Sequence, residues 1–116
     1  MRKAYFHPSA LKEIRSFPET PQDIAGFLLF EIQLGKLPDG VEPLFRHKGH
    51  MIYEIKVDDP AHHDTYRVMV LIDLPEGIYA IHAFQKKSKQ GKATPQKELD
   101  LVRQRADWAI EESRGH

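Results

Sequence analysis

The sequence predicts an α+β protein in which helices pack against an antiparallel sheet. Apolar residues recur at helical spacing near the N-terminus and again at the C-terminal end, whereas the middle of the chain alternates apolar and polar residues. Consecutive strands joined by short loops favour an antiparallel meander. The expected order is therefore an N-terminal strand, a helical hairpin, a sheet of three or four strands and a C-terminal helix.

The N-terminal part is predicted to form a short strand at residues 3–6 and then two helices. Pro8 suits the first position of the first helix, and Pro18 is expected to stop it. Thr20 can cap the second helix because its hydroxyl can accept from a free backbone amide. Gly35 is a plausible end for that helix, since glycine readily adopts a left-handed conformation.

The strands are predicted from apolar residues at every second position. This alternation covers residues 51–57 and 66–72, and a further strand follows a turn at residues 78–85. A weaker strand is possible at residues 42–46. The pair Thr94-Pro95 is expected to cap the last helix, which carries one apolar stripe.

Length and composition limit the class of protein. A chain of 116 residues is expected to form one domain, residues 1–116. It contains no cysteine, which excludes disulfides, thiolate metal ligands and cysteine nucleophiles. No apolar run approaches the length of a membrane span and no signal peptide is recognised, so a cytoplasmic location without membrane contact is expected.

A cluster of positive charge is the most informative local feature. The segment from Lys86 to Lys97, both included, contains five lysines and no acid, although the whole chain has a formal net charge of zero. Positive charge gathered at the end of one strand indicates an anionic partner, and a solvated loop is the alternative.

The period of two also predicts which polar side chains share a face. If the strands align, Glu54, Lys56, Arg67 and Lys86 surround one concave patch. Arg67 lies within an apolar run, where a charge must be paired or exposed. It could pair with Glu54, or aim a guanidinium fork at phosphate, and both can hold together.

Several short motifs resemble a known family. They are Tyr53-Glu54-Ile55, Tyr66-Arg67-Val68, the segment from His82 to Ser88, and Thr94-Pro95 before a helix. Together they resemble the HigB-like, phage-derived branch of the RelE toxin superfamily. The likeness covers Met51 to the last helix, and the order of elements extends it over the whole chain.

This resemblance implies a RelE-like fold and a toxin of a type II toxin–antitoxin pair. Such toxins cleave messenger RNA, generally on the ribosome and without a metal or other cofactor. The implied partners are a cognate antitoxin, of helix-turn-helix type, together with the ribosome and mRNA. The resemblance suggests roles for Arg67, Lys86 and Lys87. The chain departs from the family in its neutral charge and in Ser88, where threonine is common.

The chemistry of metal-free RNA cleavage is consistent with these residues. A 2′-hydroxyl attacks the neighbouring phosphate, and fixed cations stabilise the negative charge that develops. Proton transfer also needs a base and an acid. The candidates are His82, Tyr53, Glu54 and His50, although His82 in an apolar strand also fits a hydrogen-bonded core residue. The predicted catalytic residues are Arg67, Lys86, Lys87, Glu54 and His82, and the predicted RNA-binding residues are Lys56, Arg67, Lys86, Lys87, Lys89 and Lys92.

Two histidine groups could in principle bind a metal. They are His47 with His50, and His62 with His63 and Asp64, because imidazole and carboxylate suit zinc. Neither has a recognised ligand spacing, so no metal site is predicted. The alternative to an endoribonuclease is a non-catalytic RNA- or protein-binding module of the same fold.

Overall fold

The computed structural model describes residues 1–87 and 93–115. It confirms the α+β class, with a sheet of five strands rather than three or four. The elements in chain order are β1 (Lys3–Phe6), α1 (Pro8–Arg15), α2 (Glu19–Gln33), β2 (Val41–His47), β3 (His50–Asp59), β4 (Asp64–Leu74), β5 (Gly77–Lys86) and α3 (Gln96–Arg114).

The sheet has the strand order β1-β5-β4-β3-β2. Strands β2 to β5 form the predicted antiparallel meander, and β1 joins its far edge parallel to β5. This pairing depends on Gly77, because a Cβ there would lie 2.3 Å from the carbonyl oxygen of Lys3. The Arg2 guanidinium holds the same corner by donating to the carbonyls of Leu74 at 2.8 Å and Gly77 at 3.0 Å.

The ends of the first two helices follow local chemistry. Pro8 begins α1 as predicted, and the Nδ1 of His7 caps it by accepting from the Ser9 amide at 3.0 Å. The prediction that Thr20 caps α2 is wrong, because α2 already begins at Glu19 and its N-cap is Pro18. Gly35 ends α2 as predicted, with a φ of +88°.

Helices cover both faces of the sheet. The hairpin of α1 and α2 packs on one face, where its core includes Ala25, Leu29 and Ile32. Helix α3 packs on the opposite face through Val102 and Ala106. The sequence predicted that only every second residue of a strand faces the core. This prediction was incomplete, since β4 buries side chains on both faces.

No helix within residues 1–87 and 93–115 is long and apolar enough to cross a membrane.

Candidate functional site

Strand register brings the predicted polar residues together at one end of the sheet. Lys56 of β3 lies opposite Arg67 of β4, which lies opposite Phe84 of β5. Glu54 and Lys86 are two residues from members of this row, so they project from the same face. Helix α3 packs on this same face of the sheet. The polar residues lie just beyond the N-terminal end of that helix. We call Glu54, Lys56, Arg67, Lys86 and Thr94 the Arg67 cluster.

The centre of this cluster is an ion pair between Arg67 and Glu54. Arg67 Nη1 donates to Glu54 Oε1, and the two side chains are only 12% and 13% exposed. Burial removes solvent competition, so the carboxylate fixes the guanidinium plane more firmly than a surface pair would. The pairing predicted for these two residues is therefore present.

A second contact fixes the carboxylate itself. The Thr94 hydroxyl donates to the other oxygen of Glu54, Oε2, at 2.9 Å. The prediction that Thr94 caps α3 is wrong, because the N-cap is Pro95 and no side chain caps that end. Thr94 instead ties the entry to α3 to the ion pair on β3 and β4. Both oxygens of Glu54 are thus engaged.

Lys86 is the buried cation of the cluster. Its side chain leaves the residue only 8% exposed, and its Nζ donates to the carbonyl of Ala93 at 2.6 Å. Burial lowers the pKa of Lys86, and the positive charge of Arg67 lowers it further, while Glu54 opposes and Lys56 adds to the decrease. These influences indicate that the four charged groups share one electrostatic environment.

Arg67 keeps one unsatisfied donor. Its Nε is buried and has no hydrogen-bond partner within the part of the chain that the structure describes. A buried polar atom without a partner is rare in native proteins. The guanidinium therefore retains hydrogen-bonding capacity beyond its contact with Glu54.

The other predicted RNA-binding lysines differ in position. Lys56, a member of the cluster, is exposed on β3, and Lys87 is exposed directly after β5. Lys89 and Lys92, predicted to bind RNA, lie outside the described residues, as does Ser88. The described cations of the site are therefore Lys56, Arg67, Lys86 and Lys87.

His82 belongs to a separate, buried polar group. It is 1% exposed, and its Nε2 lies 2.8 Å from Glu98 Oε1 of α3. Arg105 of α3 donates to His82 Nδ1 at 2.8 Å and to Glu13 Oε1 of α1 at 2.7 Å. Glu13 Oε1 also accepts from the Ala83 amide of β5 at 3.0 Å. This group joins α1, β5 and α3 where β1 no longer covers the edge of β5.

The hydrogen bonds also define the tautomer of His82. An arginine can only donate, so Nδ1 must be the acceptor and the ring proton must lie on Nε2, facing Glu98. Both ring nitrogens are thus engaged within the protein. His82 has the arrangement of a hydrogen-bonded core histidine.

The structure places the other two proton-transfer candidates away from Arg67. Tyr53 packs with the core on the hairpin face of the sheet. His50 lies at the turn end of β3, where its Nδ1 is 3.2 Å from Asp73 Oδ1. Neither residue joins the Arg67 cluster.

The histidine groups considered for metal binding have other partners. His47 Nε2 lies 2.7 Å from Asp107, and His62 Nδ1 lies 2.9 Å from Asp59. Across residues 1–87 and 93–115, no three or more histidine, aspartate and glutamate side chains converge in a way that could hold a metal ion.

A cleft of about 530 Å³ adjoins the His82 group rather than the ion pair. It lies between α1, β5 and the start of α3, and its walls include Phe17, Phe84 and Lys97. Arg67, Glu54 and Lys86 do not line it. The Arg67 cluster therefore lies outside this cleft.

Sequence reasoning missed Thr94, Glu98, Arg105 and Glu13 as supports of these groups. Thr94 stood before a proline and a helix, a local pattern that predicts a cap. The three charged residues lie on amphipathic helices, where charges usually face solvent. Their hydrogen-bond partners become apparent only in the tertiary structure, which brings these residues close to β5.

Comparison with known proteins identifies the family. Residues 12–107 match the model of the family described as phage derived protein Gp49-like (DUF891). No significant match was found among curated proteins or among solved structures. The matched region contains the second half of α1, all of α2, strands β2 to β5, the Arg67 cluster and most of α3. The chain belongs to the Gp49-like family of phage-derived proteins, which is a toxin-like family of the RelE/HigB type.

Proposed function

We propose that this chain is the HigB-like toxin of a type II toxin–antitoxin pair and cleaves messenger RNA on the ribosome. The observation that carries the proposal is the Arg67 guanidinium, held by Glu54 and flanked by Lys56 and Lys86 at one end of the sheet. A preorganised cluster of cations around a buried arginine suits a phosphate in which negative charge is increasing. Family membership supports the same class of protein.

The proposed reaction is a transfer within the RNA chain. The 2′-oxygen forms a bond to the neighbouring phosphorus, and the bond from phosphorus to the 5′-oxygen breaks. Arg67 and Lys86, with Lys87 beside them, stabilise the charge on the phosphoryl oxygens in the transition state. Lys56 and the lysines after β5, including Lys89 and Lys92, bind the RNA backbone.

Glu54 and His82 are assigned positioning roles in this mechanism. Both oxygens of Glu54 and both ring nitrogens of His82 already have partners. Glu54 orients Arg67, while His82 holds the end of β5 that carries Lys86. The proton leaves the 2′-hydroxyl and reaches the 5′-oxygen through groups that the ribosome and its message supply. The protein then contributes mainly charge stabilisation and orientation.

The first experiment substitutes the central arginine. Expression of the wild-type chain should arrest bacterial growth, and Arg67→Ala should relieve the arrest while the protein stays folded. Loss of a preorganised charge contact should slow cleavage about 100- to 1,000-fold. Arg67→Lys should also be impaired, because a point charge does not replace a planar fork. Arg46→Ala, at an exposed arginine of β2, is the matched control.

The result of that experiment separates the two candidate functions. Full toxicity of folded Arg67→Ala would remove Arg67 from the site. Normal growth with soluble wild-type protein that still sediments with ribosomes would favour the non-catalytic binding module. The formal net charge of zero weakens autonomous capture of RNA, which supports action on the ribosome rather than on free RNA.

The second experiment tests dependence on the ribosome and independence from metal. One message is incubated with EDTA-treated protein, with and without active translation, at the magnesium concentration that translation needs. Cleavage is expected only during translation. Efficient cutting of naked RNA would contradict the ribosome dependence, and activity restored only by a transition metal would contradict the metal-free mechanism.

A further inference from the structure

The second part of strand β5 has an edge that no other strand covers within residues 1–87 and 93–115. Strand β1 pairs with β5 only from Gly77 to Ala80, whereas β5 continues to Lys86. The chain leaves this edge at His7, whose amide donates to the Ala80 carbonyl at 2.9 Å, and then enters α1. Beyond Ala80 the edge presents backbone groups that need partners other than a strand.

Side chains satisfy the first of these backbone groups. Arg105 Nη1 donates to the carbonyl of Ile81 at 3.2 Å, and Glu13 Oε1 accepts from the amide of Ala83 at 3.0 Å. The Ala83 amide therefore points away from β4. In an antiparallel strand the amide and carbonyl of one residue point the same way, and those of the next residue point the opposite way. The Ala83 carbonyl and both backbone groups of Gln85 consequently also point away from β4.

The cleft of about 530 Å³ lies at this open edge, and Ala83 and Gln85 are among its walls. Phe17 bounds it on the hairpin face of the sheet, while Phe84 and Leu101 bound it on the face of α3. Apolar groups thus lie on both sides of the sheet plane, with a polar backbone edge between them. This arrangement suits a planar ring that lies in the plane of the sheet, and the volume is that of a small-molecule site.

The backbone groups at this edge have a fixed order of polarity. The Ala83 carbonyl accepts, the Gln85 amide donates and the Gln85 carbonyl accepts. The Watson–Crick edge of adenine is complementary, because its amine donates, its N1 accepts and its C2–H makes a weak contact with a carbonyl.

The other three bases do not match this order. Uracil presents acceptor, donor and acceptor, so each of its groups would meet a group of the same kind. Cytosine would place its O2 against the Gln85 carbonyl, and guanine would place its N1–H against the Gln85 amide.

The charged groups around the cleft are compatible with an uncharged base. Both carboxylate oxygens of Glu13 accept from Arg105, at 2.7 and 3.1 Å, and Glu98 Oε1 lies 2.8 Å from His82 Nε2. These acids are therefore engaged within the protein. Lys97 is the only lysine or arginine among the described walls, and its exposed side chain can accompany the phosphate of a nucleotide.

We propose that this cleft binds an adenine base, held by the backbone of Ala83 and Gln85 between apolar walls from both faces of the sheet. The base can belong to a free adenine nucleotide or to an RNA chain, since the same groups recognise it in both. The cleft adjoins the Arg67 cluster, because Phe84 lies opposite Arg67 and neighbouring strands are about 4.8 Å apart. Binding of the base does not depend on the proposed cleavage of RNA.

The first test changes the ligand, because the recognising groups belong to the backbone. Adenosine monophosphate (AMP) is titrated into the purified full-length chain and followed by isothermal titration calorimetry. Inosine monophosphate has an oxygen in place of the amine and a proton on N1, so both central contacts are reversed. AMP should bind at least about tenfold more tightly than inosine or uridine monophosphate. AMP should also shift the NMR signal of the Gln85 amide.

Two variants of Gln85 test the same contact from the protein side. Gln85→Pro removes the amide proton, and because this amide points away from β4, no hydrogen bond between β4 and β5 is lost. AMP should bind this variant at least about tenfold more weakly. Gln85→Ala keeps the amide and should bind AMP like wild type. Circular dichroism and thermal melts establish that both variants are folded; if the proline variant is not, the comparison of ligands decides.

RNA oligonucleotides separate the two sources of the base. Oligoadenylate and oligouridylate of equal length are titrated into the protein with and without saturating AMP. Tighter binding of oligoadenylate that AMP abolishes would assign the cleft to an adenine of RNA. Binding of AMP that oligoadenylate does not displace would assign it to a free nucleotide.

Three results would overturn the adenine site. They are equal affinity for the adenosine, inosine and uridine monophosphates, absence of binding by both AMP and oligoadenylate, and unchanged AMP affinity of folded Gln85→Pro. These measurements use the isolated protein and do not involve growth arrest, so they leave the proposed function to be decided by Arg67→Ala.

Discussion

Thr94 and Glu54 are joined by a hydrogen bond of 2.9 Å, and the same carboxylate pairs with Arg67 through its other oxygen. Thr94, which lies just before α3, therefore helps to fix an arginine of the central strand β4. Arg67 also retains a buried Nε without a partner among the described residues. The orientation of the central cation depends on contacts from β3 and from the segment before α3.

Replacement of Thr94 tests this connection. Thr94→Val keeps the shape of the side chain but removes the donor to Glu54, so the carboxylate is less firmly held. Cleavage should slow about tenfold, and the free energy of unfolding should fall by about 1 kcal/mol, the usual net value of one hydrogen bond. Message cleavage and urea denaturation measure the two effects. Thr94→Ser retains the hydroxyl and should behave like wild type; equal activity of the valine variant would contradict the proposed link.

Two substitutions of Glu54 distinguish whether its carboxylate positions Arg67 or acts as the general base. Glu54→Gln keeps an oxygen that can accept from Arg67 and an amide that can reach Thr94, whereas Glu54→Ala leaves a buried guanidinium unpaired. The alanine variant should lose about 3 kcal/mol of stability, as expected when one member of a buried pair is removed. The glutamine variant should retain a substantial part of the cleavage rate. If both variants were equally inactive while folded, Glu54 would act as the base.

His82 is expected to matter for stability more than for cleavage. His82→Leu would remove the buried ring that bonds to Glu98 and one of the acceptors of Arg105, which should lower the free energy of unfolding by about 2 kcal/mol. At a temperature where this variant is folded, cleavage should remain within about threefold of wild type. Chemical denaturation and cleavage assays check both points, with the exposed His62→Leu as control. A folded variant that is inactive would restore His82 to the catalytic group.

Lys86 should make the free energy of unfolding depend on pH in the alkaline range. Burial, followed by the charge of Arg67, lowers the pKa of Lys86 in the folded protein relative to the unfolded chain. Between those two pKa values the unfolded chain binds more protons, so folding becomes more favourable as pH rises. The stability of wild type relative to Lys86→Met should therefore increase with pH in this window.

Denaturation of both proteins across alkaline pH, with an NMR titration of labelled lysine, measures this effect. Lys56→Gln removes a positive charge that contributes to the lowered pKa, so Lys86 should then titrate at a higher pH. Lys97→Gln, at an exposed lysine of α3, is the matched control. A stability difference that declines as pH rises would contradict the assigned direction.

Local sequence determined most of the elements. The alternation along β3 and β4 predicted both the strands and the common face of Glu54, Lys56 and Arg67, because side chains in a strand alternate regardless of what lies beside them. Pro8 and Gly35 marked helix ends correctly because each acts through its own backbone geometry. The lysines after β5 indicated an anionic partner from composition alone.

Tertiary structure decided the partners of individual side chains. Thr94 bonds to Glu54, 40 positions away, instead of capping α3, and His82 finds Arg105 across 23 positions. Strand β1 pairs with β5, which is distant in the chain. Helix α3 covers the sheet face that the alternation of residues had predicted to be partly polar. A local pattern constrains the backbone of the residues that form it. Which hydroxyl, carboxylate or helix reaches a given side chain is set by the packing of segments far apart in the chain. That packing added Thr94 and the contact of Lys86 with Ala93 to the face that alternation had predicted.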